Sequence, residues 1–84
     1  MPVLARFYGI IIRMYFQQAE HNPPHIHAIY DGYSAIIDIQ STDVLSGQLP
    51  VKALALVKEW ITIYRQELLD MWEAQIFRTL PPLE

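Results

Sequence analysis

His25-Ile26-His27-Ala28-Ile29-Tyr30-Asp31-Gly32-Tyr33-Ser34-Ala35-Ile36-Ile37-Asp38-Ile39 is the stretch from which the fold can be read. Two runs rich in β-formers, His25 to Tyr30 and Tyr33 to Ile39, flank Asp31-Gly32. Asp-Gly between such runs favours a two-residue type I′ hairpin turn, because both turn positions need positive φ. A loop of two residues fixes the pairing. Tyr30 faces Tyr33, Ala28 faces Ala35 and Ile26 faces Ile37; with Ile39 they make an apolar face for a helix to cover. On the opposite face Ile29 meets Ser34, His27 meets Ile36 and His25 meets Asp38. A slip of one residue would exchange the two faces.

Upstream of the hairpin, residues Gly9 to Gln17 alternate. Ile10, Ile12, Met14 and Phe16 share one side of a strand, and Ile11, Arg13, Tyr15 and Gln17 the other. Val3 to Tyr8 reads as a short strand or strand lead-in, with Gly9 allowing a bend or bulge. Downstream, Pro50 reads as the first helical position, where its missing N–H costs nothing. From Val51 to about Phe77 apolar residues recur at helical spacing: Leu54, Val57, Ile61, Tyr64, Leu68 and Trp72. Ala53, Leu56, Trp60 and Ile63 widen the stripe. One straight helix of that length would span roughly 40 Å at about 1.5 Å per residue. A domain this small has a radius of gyration of about 12 Å. The helix is therefore expected to break near Tyr64 to Glu67, or to overhang and pack on another chain.

The class is α+β: a small antiparallel β-meander of three or four strands, then one or two C-terminal helices packed on one face. One domain covers residues 1–84, with a β part at about 3–46, a helical part at about 50–78 and a loose tail at 79–84. The chain has 84 residues, 52% of them hydrophobic and 18% charged, which is a globular composition. It has no Cys, which excludes a thiolate zinc site and a disulfide staple and fits a reducing, cytoplasmic setting. The first long apolar run, Phe7 to Ile12, ends at Arg13, too short for a membrane span and without a signal-peptide layout. Six basic against nine acidic side chains lack the basic stripe of a general nucleic-acid binder, though a local basic site is compatible with them. So small a core makes a homo-oligomer a reasonable expectation.

All three histidines fall in His21-Asn22-Pro23-Pro24-His25-Ile26-His27. The prolines fix their own φ and bias the residues before them toward extended geometry, giving a stiff approach to the strand. Three readings of the cluster compete. As an acid–base site, Asp38 orients His25 and raises its pKa, His27 is a second proton carrier, and Arg13 on the neighbouring strand steadies an oxyanion. Those groups suffice for transesterification of RNA by its own 2′-hydroxyl, with no cofactor. As a metal site, His25 and His27 alternate on one strand and chelate one divalent transition metal, with Asp38, His21 or Glu20 as a third ligand. As plain structure, the histidines line a half-wet sheet face and His25–Asp38 is an ordinary cross-strand pair. No Ser or Cys sits in a convincing nucleophile elbow.

Phe7-Tyr8-Gly9-Ile10-Ile11-Ile12-Arg13-Met14-Tyr15-Phe16, the His21–His27 segment, Tyr33-Ser34-Ala35-Ile36-Ile37-Asp38-Ile39, Gly47-Gln48-Leu49-Pro50, and the Trp60 helix with Glu67-Leu68-Leu69-Asp70-Met71-Trp72-Glu73 together resemble the bacterial domain-of-unknown-function family 4160. The resemblance covers nearly the whole chain, and its Pro-Pro-His-x-His signature falls on Pro23, Pro24, His25 and His27. It implies a small stand-alone bacterial protein in a gene layout like toxin–antitoxin pairs, and hence a cognate small protein as partner. It implies no established activity.

The leading expectation is thus one half of a toxin–antitoxin-like pair with metal-independent, His-based endoribonuclease chemistry at His25, His27, Arg13 and Asp38. Its partner surface would be an exposed strand edge or the helix Glu67 to Phe77. The first alternative is a metal-binding module or metal-dependent hydrolase using His25 and His27. A weaker one is a transcriptional regulator, which the acidic balance and the missing helix-turn-helix pattern disfavour.

Overall fold

The computed structural model describes residues 3–15 and 23–84. Its elements follow in the order β1 (Val3–Phe7), β2 (Ile10–Arg13), β3 (His25–Tyr30), β4 (Tyr33–Asp38), β5 (Val44–Gly47) and α1 (Val51–Ala74). The strands form one antiparallel sheet in chain order. Asp31 and Gly32 both take positive φ, 46° and 84°, as a type I′ turn demands. The β3–β4 ladder then runs Tyr30↔Tyr33, Ile29↔Ser34, Ala28↔Ala35, His27↔Ile36, Ile26↔Ile37 and His25↔Asp38, the register expected from the turn. Tyr8 and Gly9 repeat the device, with φ of 51° and 82° between the facing pair Phe7 and Ile10.

The described sheet has five strands where three or four were expected. The additional strand, Val44–Gly47, is exposed at all four residues, so it carries no hydrophobic alternation for sequence reading to detect. It ends at Gly47, whose φ of 77° is left-handed, and a Cβ there would collide with the Ser34 carbonyl oxygen. Close backbone approach is therefore what this glycine allows, and the β part runs one residue past its expected end.

One sheet face is dry. Ile10, Ile12, Met14, Ile26, Ala28, Ala35, Ile37 and Ile39 are buried, and α1 covers them with Ala53, Val57, Trp60, Ile61, Leu68, Met71 and Trp72. Phe16, expected on the same side, lies outside the described residues. Ile63, expected to widen the stripe, is exposed. Pro50 is the residue before the helix, not its first position; its φ and ψ are −56° and 150°, and its carbonyl accepts the Leu54 N–H at 2.9 Å. The helix stops at Ala74, short of the expected end, because Gln75 turns left-handed and its N–H bonds the Met71 carbonyl.

Within α1, Tyr64 leaves helical geometry at φ −109° and ψ 20°, so the helix kinks in the segment expected to break. No Gly or Pro is there. Beside it the Thr62 hydroxyl donates to the Lys58 carbonyl at 2.8 Å, a bond back along the helix that bends it. Arg65 Nε donates to the Ile39 carbonyl at 3.0 Å and ties the second half to the end of β4. A straight helix of this length would be about 36 Å long, longer than the largest extent of the fold, 30 Å.

The segment expected to be a loose tail is instead part of the core. Leu80 and Leu83 are buried, and the Leu80 N–H donates to the Leu4 carbonyl on the outer edge of β1 at 2.7 Å. The fully buried Trp60 packs at tilted angles against the rings of Phe7 and Tyr64 and donates its indole N–H to the Pro81 carbonyl at 2.9 Å. A buried indole N–H needs such a partner, so the polypeptide after the helix is held by the core's largest side chain. Trp60→Ala should lower unfolding free energy by about 3–5 kcal/mol in urea titrations. Trp60→Phe, which keeps a ring and loses the N–H, should lower it by less. Equal losses would show that the Pro81 bond dominates over the packing.

Candidate functional site

The histidines sit where the ladder requires. His25 and His27 alternate along β3 and share the sheet face away from the dry core, each half-buried. Arg13 pairs across from His27 in the β2–β3 ladder. The charged side chains offered by β1, β2 and β3 are Arg6 and Arg13, both cationic. Arg6 lies two strands from β3 in line with Ile29, and Asp38 on β4 stands opposite His25, so Arg13 is the cation paired directly with the histidine strand.

Each imidazole has its own surroundings. The His25 Nδ1–H donates to the Pro23 carbonyl at 3.0 Å, which leaves Nε2 as the nitrogen open to chemistry. Its ring lies 4.8 Å from the buried indole of Trp72, tilted by 57°. The second half of α1 and the Pro23-Pro24 approach therefore clamp this ring from two sides. His27 lies edge-on to Tyr15, with ring centres 4.4 Å apart, and 5.6 Å from His25. Burial pushes the His27 imidazole below the ordinary histidine value, and the neighbouring charge of His25 pushes it the same way. His27 is accordingly neutral at pH 7. Arg13 Nε is buried with no hydrogen-bond partner among the described residues, an unmet donor beside His27.

Asp38 stands opposite His25 in the ladder, as the turn predicts, but its carboxylate points elsewhere. Oδ1 accepts the N–H groups of Gln40 at 2.7 Å and Ser41 at 3.1 Å. The Asp38 backbone meanwhile exchanges bonds with Asp43 and Thr42. Asp38 builds the turn from β4 into β5, and Pro23 takes the part of orienting His25 that the sequence reading gave to Asp38. An Asx-type turn competes well for a short carboxylate, because the backbone donors are only two and three residues away. Sequence reasoning also missed Trp72 as a neighbour of His25. Its helical spacing marks it as core, and only the path of α1 past the kink brings it to the end of β3.

Among the described residues no three His, Asp or Glu side chains gather as a metal site. His25 and His27 are two candidate ligands on one side of a strand. His21 and Glu20, the other ligands expected, lie outside the described residues. Two clefts of about 390 Å³ and about 250 Å³ flank residues 79–84, and neither lining includes a histidine. Among the described residues no helix is long and apolar enough to cross a membrane.

The lowered His27 pKa links protonation to folding. The unfolded chain restores a value of about 6.5, so on acidification it takes up the proton before the folded chain does. The stability present above that value is lost as pH falls through the lowered folded pKa. Thermal melts between about pH 7.5 and pH 5 should show a steeper fall for wild type than for His27→Gln. Equal slopes would place the titrating group elsewhere.

The family model described as a domain of unknown function (DUF4160) matches residues 9–73, from the β1–β2 turn through most of α1. No curated protein matches the chain, and no solved structure does.

Proposed function

The chain belongs to the domain-of-unknown-function family DUF4160, and from that premise we propose that it is one component of a toxin–antitoxin-like pair, works with a cognate small protein, and cleaves RNA through His25 and His27. The observation that carries the chemistry is the pair of imidazoles 5.6 Å apart on one strand face in unlike surroundings, beside the Arg13 Nε that has no hydrogen-bond partner among the described residues. Acid–base cleavage needs one carrier that starts empty and one that starts loaded.

His27, neutral through burial, is the base. It takes the proton of the ribose 2′-hydroxyl, whose oxygen bonds to phosphorus. The bond from phosphorus to the 5′-oxygen breaks, and His25 in its protonated form gives its Nε2 proton to that leaving oxygen. The products are a 2′,3′-cyclic phosphate and a free 5′-hydroxyl. The Arg13 side chain balances charge on the phosphoryl oxygens. Asp38 serves by holding the end of β4 against His25, with no proton to move. Pro23 and Trp72 hold the His25 ring.

A second reading keeps the same two histidines as ligands of one divalent transition metal, since both point to one side of β3. Elemental analysis separates the two: near-stoichiometric metal lost in both His25→Ala and His27→Ala would support the metal site. The regulator reading gains nothing from the fold, because the described residues form a single helix and no helix-turn-helix pair.

Incubation of a labelled RNA with purified protein in excess EDTA should give fragments with cyclic phosphate ends. His25→Ala and His27→Ala should each slow cleavage by about 10²-fold or more. Cleavage that persists unchanged in both variants, or none by wild type, would sink the proposal. Co-expression with the product of the neighbouring gene should yield a stable complex, and failure to bind it would remove the two-protein reading alone.

A further inference from the structure

The two edges of the sheet are treated differently. At the β1 edge the chain covers itself, because Leu80 bonds the Leu4 carbonyl and Leu80 and Leu83 sink into the core. At the β5 edge none of the described residues is laid over the strand: Val44 is 37% exposed, Leu45 is 45% exposed, and Ser46 and Gly47 are exposed too. Natural edge strands are usually protected by Lys, Pro or an inward charge. Val44-Leu45-Ser46-Gly47-Gln48-Leu49 has none of these, and Asp43 just before it is the nearest charge. The protection present is the shortness of the strand and the irregularity opposite Ile36 and Ile37.

The geometry points to β5 as a self-pairing edge whose occupant is β5 of a second copy, so that two five-stranded sheets join into one across a two-fold axis. Charge and size favour this occupant. In an antiparallel pair of identical strands, facing residues must turn their N–H groups the same way, so the axis passes through a residue and not between two. With the axis at Ser46, Leu45 of each copy faces Gly47 of the other, and the missing side chain makes room for the leucine. Asp43 then faces Leu49, so no like charges meet, and the uncharged strand offers nothing specific to a charged partner. A self-complementary patch of this kind is what a two-fold dimer requires.

Sedimentation velocity of the intact chain tests it. Wild type should sediment with twice the mass of one chain at high concentration. Leu45→Glu and Leu45→Lys should each lose that species, because across the axis each new charge lies diagonal to its own copy, within reach of a long side chain. Mixing the two variants should restore the double-mass species, which unfolding of either variant would prevent. The cleavage assay does not depend on this result, so the site and the edge stand or fall separately. A wild type that is monomeric at every concentration would overturn the inference. So would a dimer that survives both variants, a mixture that fails to reassociate, or an edge that pairs only with the neighbouring gene product.

Discussion

The two-residue turn at Asp31-Gly32 is the constraint on which the rest of the structure depends. Both residues must adopt positive φ, and once they do, the facing positions of β3 and β4 are set without further choice. The even residues Ile26 and Ala28 go to the dry side with Ala35 and Ile37, and the odd residues His25 and His27 go to the other. Because strand side chains alternate, a register error of one residue would have buried two imidazoles and exposed the isoleucines. The core and the candidate site are thus two faces of one decision, and the hydrophobic free energy of the first holds the second in place.

The helix completes that arrangement by bending. Its first half lays Val57, Trp60 and Ile61 over the sheet, and the kink at Tyr64 redirects the second half so that Arg65 meets the end of β4 and Trp72 meets His25. Trp60 then gathers the residues that follow the helix through Pro81, which carries Leu80 to the β1 edge. One buried indole therefore links helix, sheet edge and the last residues. A modest core gains closure from this route, since few large side chains are available to an 84-residue chain.

At the histidines, burial and backbone carbonyls matter more than ion pairs. A cross-strand carboxylate would have favoured a cationic imidazole. Here the carboxylate is taken by its own turn, one ring is oriented by a proline carbonyl, and the other is kept neutral by desolvation. Unlike neighbours give two identical residues different surroundings, and the proposed two-step proton transfer rests on that difference. Membership of a family defined by sequence alone names no substrate, so the proposed chemistry rests on these contacts.

Much was legible in the sequence where the determinants are local. The Asp31-Gly32 turn, the β3–β4 register, the side shared by His25, His27 and Arg13, and the apolar stripe of α1 all follow from turn chemistry and from periods of two and 3.6 residues. Length alone left a choice between a break near Tyr64 to Glu67 and an overhang onto another chain, since a straight helix would outrun the domain, and the structure has the kink at Tyr64. What only the tertiary structure decided lacks a local signature. The strand Val44–Gly47 has no alternation, and it forms because β4 offers an edge and Gly47 permits a close approach. Residues 79–84 look unstructured with their two prolines, and they are fixed because Trp60 needs an acceptor. Asp38 reads as a partner for His25 from register, yet register places Cα atoms and not carboxylate oxygens, which went to the nearer N–H groups of Gln40 and Ser41. Local preference sets where the backbone goes, and competition among distant groups for the same donors and acceptors sets what each side chain does there.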